Sequence, residues 1–93
     1  MKSYDALLKE RAALHQQIND ALDFLMGSIS TKGPSRPGLN LTFKVDQVSR
    51  TRHIRKNLEP KVRHMTARWR RMRNLLTKLS SVNWDILNRE LDI

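Results

Sequence analysis

Between Leu58 and Glu90 the positions Leu58, Val62, Met65, Trp69, Met72, Leu76, Leu79, Asn83, Ile86 and Glu90, apolar except for Asn83 and Glu90, recur at alternating three- and four-residue steps. No other feature constrains this chain as strongly. A stripe of that period is one face of an α-helix, and Leu75, Val82, Leu87 and Leu91 widen it. The spacing predicts a single long helix over 57–91, about 50 Å at 1.5 Å per residue. Asn57 is placed as its N-cap, and Pro60 fits its first turn, where the amide that proline lacks would be unpaired anyway.

A helix of this length needs a partner, and the N-terminal third supplies one. Tyr4, Leu7, Leu14, Ile18, Ala21 and Leu25 keep the same spacing, with Arg11 the one interruption and Leu8, Leu22 and Met26 widening the stripe. This predicts an amphipathic helix over 3–26, started by Ser3 as N-cap and ended by Gly27. Residues 27–38 hold all three glycines and two of the three prolines, and read as a loop. Next, Leu39, Leu41, Phe43 and Val45 alternate with polar residues, the period of a strand. Asp46-Gln47 marks a tight turn, and Val48 to Arg55 a return strand. The expected architecture is a mainly α chain with a small β-hairpin: helix, loop (27–38), hairpin (39–55) and long helix, with the two helices paired as an antiparallel coiled coil. All 93 residues read as a single domain.

Composition matters because the charge is localised. The net charge is +9. By segment it is −1 for 1–26, +6 for 27–58, +6 for 59–78 and −2 for 79–93. In a helical hairpin the two +6 blocks converge, while Asp85, Glu90 and Asp92 lie at the other end. Glu59 is the one acid between residues 47 and 84. Lys61, His64, Arg68, Arg71 and Lys78 follow one stripe of the long helix, and Arg63, Arg70 and Arg73 lie on the other flank of the seam. Arginine outnumbers lysine here, which suits bidentate phosphate contacts. The candidate nucleic-acid-binding residues are Arg50, Arg52, Arg55, Lys56, Lys61, Arg63, Arg68, Arg70, Arg71 and Arg73. Trp69, Met65 and Met72 read as packing on the seam, Asn83 as a residue fixing the register of a helix pair, and Trp84 as the mark of a protein contact.

The chain has no cysteine. That excludes a disulfide framework, a thiolate metal site and a cysteine nucleophile. His15, His53 and His64 show no metal-ligand spacing, and no nucleophile stands beside an activating base, so neither metal, cofactor nor enzymatic activity is expected. There is no signal-peptide core and no run of about twenty apolar residues, which predicts a cytoplasmic protein without a membrane partner.

Residues 27–87 resemble a family of small bacterial and archaeal proteins of unknown function, often met near mobile genetic elements. The matching residues are Gly27-Ser28, Leu41-Thr42, Arg50-Thr51-Arg52, Asn57-Leu58-Glu59-Pro60-Lys61-Val62, Arg70 to Leu76 and Leu79-Ser80 through Asn83. The family's Cys-rich loop is replaced here by the shorter Thr31 to Gly38, so no metal role carries over. The resemblance implies an accessory protein of a mobile element or phage, and no activity. Charge and resemblance together predict a nucleic-acid-binding accessory protein, with DNA favoured over RNA, that forms a homodimer through its seam. It would recruit or assist a recombinase, transposase or other protein. The alternative is a non-catalytic interaction module, a subunit or inhibitor, that binds an acidic surface of a partner protein.

Overall fold

The computed structural model describes residues 2–91. The element order is α1 (Tyr4–Asp20), β1 (Ser28–Thr31), β2 (Leu39–Val45), β3 (Val48–Ile54), one turn of 3-10 helix (Lys56–Leu58) and α2 (Glu59–Glu90). The chain is mainly helical, with a small antiparallel sheet between a leading helix and a long C-terminal one. Its contacts divide it into two compact units, Met1–Leu22 with Arg71–Ile93, and Asp23–Arg70. α2 contributes to both. We call them the helical unit and the sheet unit.

In the helical unit, Ser3 caps α1: its side chain accepts from Ala6 N at 3.2 Å, and its carbonyl accepts from Leu7 N at 3.0 Å. The stripe that the spacing defines buries Leu7 and Leu14 of α1 against Leu75, Val82 and Ile86 of α2, with Tyr4, Leu8, Ile18 and Leu79 packed around them. Each of the five buried side chains contributes about 1.5–3 kcal/mol. The pairing is antiparallel: Arg89, in the last turn of α2, donates from Nε and Nη2 to the Lys2 carbonyl at 3.2 and 2.9 Å, just ahead of α1.

Two expectations change here. The face of α2 that meets α1 is built on Leu75, Leu79, Val82 and Ile86, so Leu76 and Asn83 fall off the seam; Leu75 is 4% exposed and Leu76 45%. The sequence offers two overlapping apolar stripes on this helix, and packing selects the one richer in branched side chains. α1 also stops at Asp20 rather than continuing to residue 26. Asn19 and Asp20 are weak helix formers, and the apolar run behind them packs elsewhere.

That run belongs to the sheet unit. The Leu25 amide donates to the Met65 carbonyl at 3.1 Å, and Phe24 stacks on Trp69 with ring centroids 5.2 Å apart. Gly27, expected to end the first helix, instead admits the chain to the sheet. Its φ is +124°, and a Cβ there would stand 2.4 Å from the Thr42 carbonyl oxygen, so only glycine fits. The sheet has three strands in the order β1-β2-β3, both pairs antiparallel. β1 corrects the reading of 27–38 as loop throughout: Ser28-Ile29-Ser30-Thr31 pairs with Thr42-Leu41-Asn40-Leu39. With Ile29 as its single apolar residue it has almost no periodic signal, and pairing to β2 supplies what its own sequence lacks. Asp46 and Gln47 form the expected two-residue turn with φ of 51° and 66°, both left-handed, as a hairpin of this length requires.

The register sorts the sheet into two faces. Ile29, Thr31, Leu39, Leu41, Phe43, Val45, Val48 and Ile54 share one with Arg50 and Arg52, and Leu41 and Ile54 of that face are buried. Thr66 of α2 is buried as well, and its hydroxyl is satisfied by the Val62 and Arg63 carbonyls at 3.0 and 3.1 Å. Asn57 is no N-cap: it sits inside the 3-10 turn, which the Leu58 amide closes by donating to the Arg55 carbonyl at 2.9 Å.

Candidate nucleic-acid interface

The sheet unit, residues 23–70, carries eleven Lys and Arg against Asp23, Asp46 and Glu59, a net of +8; the helical unit, with seven cations and six acids, carries +1. The division by contact is therefore also a division by charge. Among the described residues the one ion pair is Lys2 with Glu10, in the helical unit. None of the cations of residues 23–70 is paired with a carboxylate there.

Eight of the ten sequence-predicted residues fall in the sheet unit: Arg50 and Arg52 on β3, Arg55 and Lys56 immediately after it, and Lys61, Arg63, Arg68 and Arg70 on the first turns of α2. All eight are exposed. Arg71 and Arg73 follow on α2, but their contacts assign them to the helical unit, so the +6 block drawn from 59–78 is cut at residue 70.

The cations have different surroundings. Arg52 lies over the Phe43 ring, its guanidinium carbon 5.5 Å from the centroid, which holds the side chain along the outer strand while leaving its charge in water. Arg68 donates to the Asp23 carbonyl at 3.0 Å and so ties the segment after α1 to α2. Arg63 and Arg70, two helical turns apart, wall a shallow cleft of about 430 Å³ with Ser28, Ile29 and Thr66. A cleft walled by two arginines suits a phosphate oxygen better than an apolar ligand.

Sequence reasoning missed the other face of the sheet. It carries Ser28, Ser30, Asn40, Thr42, Lys44, Ser49, Thr51 and His53, without an apolar side chain. Ser30 and Thr42 are hydrogen-bonded across the strands at 3.0 Å, and Lys32 Nζ donates to His53 Nδ1. The signal was present as small polar residues at alternate positions, Ser28/Ser30, Asn40/Thr42 and Ser49/Thr51, but it names a surface only once β1 is known to be a strand. Arg63 and Arg70 stand beside β1, whereas Arg50 and Arg52 lie on the opposite, apolar face of β3, so Lys44 is the one strand cation on the polar face itself.

Trp69, half-buried against Phe24, is a packing residue, and Met72 is buried. Trp84 is 66% exposed in the helical unit. Among the described residues no helix is long and apolar enough to cross a membrane. Comparison with protein-family models, with curated proteins and with solved structures finds no match to this chain.

Proposed function

We propose that this protein is a non-catalytic nucleic-acid-binding accessory protein that holds double-stranded DNA through its sheet unit. The observation that carries the reading is the concentration of +8 in residues 23–70 with no carboxylate pairing among the described residues. Such a field is relieved by a polyanion, whose condensed counterions are released on binding.

Groove shape favours DNA over duplex RNA. The major groove of B-DNA, about 12 Å wide, admits a two-stranded β-ribbon such as β2-β3, whereas the A-form major groove is too narrow for side chains to read. The hydroxyls and amide of the polar face would meet the groove, and phosphate contacts would come from Arg55 after β3 and from Arg63 and Arg70 beside β1, with Arg50 and Arg52 reaching round the edge strand from the other face. The resemblance of residues 27–87 to proteins met near mobile elements supports placing the task there, with the protein recruiting or assisting a recombinase, transposase or other enzyme.

The test is a mobility-shift titration against duplex DNA, duplex RNA and single strands. With six or more phosphates neutralised, affinity for duplex DNA falls roughly a thousandfold between about 50 and 200 mM salt. No shift with any nucleic acid at the lower salt would overturn the reading and leave these cations to an acidic protein surface.

A further inference from the structure

Packing against α1 uses only one side of α2 in the helical unit, and a second stripe remains uncovered. Arg73, Leu76, Ser80, Asn83, Leu87 and Glu90 recur at alternating three- and four-residue steps; all are exposed except Asn83, which is half-buried. Leu76 is 45% exposed, Leu87 56% and Trp84 beside them 66%. Leu76, Leu79, Ser80, Asn83, Trp84 and Leu87 line a shallow groove of about 920 Å³. A cation closes one end of the stripe, an anion the other, and everything between is apolar or uncharged.

We infer that this stripe binds the same stripe of a second copy of the chain, running antiparallel about a two-fold axis that crosses α2 between Ser81 and Val82. In an antiparallel helix pair each layer sets one heptad position against the other, which fixes the register. Placing Leu76 against Leu87 places Ser80 against Asn83 and Arg73 against Glu90, with no offset left to adjust. Two apolar layers, two hydrogen-bonding layers and two ion pairs then form together. Trp84 and Thr77, one position further round the helix, flank the layers on one side and add aromatic area to the pocket.

Charge decides for a second copy and against the parallel arrangement. A parallel pair would oppose Arg73 to Arg73 and Glu90 to Glu90; only the reversed copy presents the opposite charge at both ends. The stripe also belongs to the unit that carries +1, where repulsion between two basic chains is weakest. This interface keeps Leu76, Asn83 and Glu90 of the seam on which the sequence predicts dimerisation, while α1 takes its Leu79 and Ile86.

Analytical ultracentrifugation of the full chain at high micromolar concentration is expected to show a dimer. Leu76→Glu and Leu87→Glu should each weaken it at least about tenfold with helix content unchanged, since both side chains are exposed. Arg73→Glu should weaken it about fivefold, and adding Glu90→Arg should restore it, which a merely structural role would not do. The register has a separate readout, because the chain has no cysteine of its own. Mixing Ser80→Cys with Asn83→Cys chains under mild oxidation should give the mixed disulfide in excess of either self-linked product. A monomer at these concentrations would overturn the inference and leave the face to a different chain; preferential self-linking of Ser80→Cys would replace the antiparallel register by a parallel one.

Discussion

The two units of this chain hold themselves together in different ways, and the difference tracks their charge. The helical unit is two stripes of leucine, isoleucine and valine at helical spacing, nearly neutral, with an ion pair, the Ser3 cap and a backbone clamp from Arg89 among its polar contacts. The sheet unit has little apolar area: Leu41, Ile54 and a hydrogen-bonded Thr66 are buried, and backbone pairing, a left-handed turn and one obligate glycine do the rest. With +8 and three acids this region has few carboxylates to pair its cations with, and the cations that add cohesion do so on a carbonyl, as Arg68 does on Asp23, or on a ring, as Arg52 does on Phe43. Backbone pairing and the Phe24–Trp69 stack carry most of its cohesion, and its cations have no carboxylate partners among the described residues.

The comparison predicts where each unit breaks. The largest effect should come from Ile86→Ala. With Ile86 2% exposed, the lost burial and the cavity should cost about 2–5 kcal/mol in urea denaturation, and a loss below about 1 kcal/mol would show that the helix pair does not rest on this layer. In the sheet unit the corresponding weak point is backbone. Gly27→Ala must find room 2.4 Å from the Thr42 carbonyl at a φ of +124°, which should cost about 1–3 kcal/mol by the same assay. An unchanged midpoint would mean that the approach to β1 shifts freely.

A functional contrast is sharper. Arg63→Gln combined with Arg70→Gln should leave denaturation unchanged while making the salt dependence of DNA affinity shallower by about two in slope, one for each phosphate that is no longer neutralised. An unaltered slope would remove the cleft beside β1 from the interface. The smallest expected effect is a gain: Gln47→Gly relieves a left-handed residue at φ 66° and should raise stability by about 0.5 kcal/mol, less than the steric relief because glycine loses more freedom on folding. Destabilisation would show that the Gln47 side chain makes a contact of its own.

Much of the helical architecture was legible because helical period is written redundantly. Leu7, Leu14 and Ile86 could be placed in a helix-on-helix core from spacing alone, with Leu75 and Val82 only as its flanks, and β2 and β3 from alternation and a two-residue turn. The end of α1 was not legible: Ala21, Leu22, Leu25 and Met26 continue the period past Asp20, and what takes Phe24 and Leu25 out of the helix is Trp69 and Met65, about forty residues away along the chain. Nor was β1, whose four residues carry one apolar side chain. Of the candidate interface, the identities of the cations were legible, since charge is local. Their surroundings were not, since the cleft beside Arg63 and Arg70 exists only once β1 pairs with β2.

By itself, then, the sequence determined that a leading and a long closing helix flank a hairpin, where the hairpin turns and which residues carry charge, because period, turn chemistry and ionisation are properties of a few neighbouring residues. Tertiary structure alone decided that α1 takes the Leu75–Val82 side of α2 and leaves Leu76 and Leu87 uncovered, and that eight of the ten predicted cations share a unit with a polar three-stranded face. Those choices depend on which of several nearly equivalent surfaces is buried, a competition settled by close packing over the whole unit and invisible in any one stretch of chain.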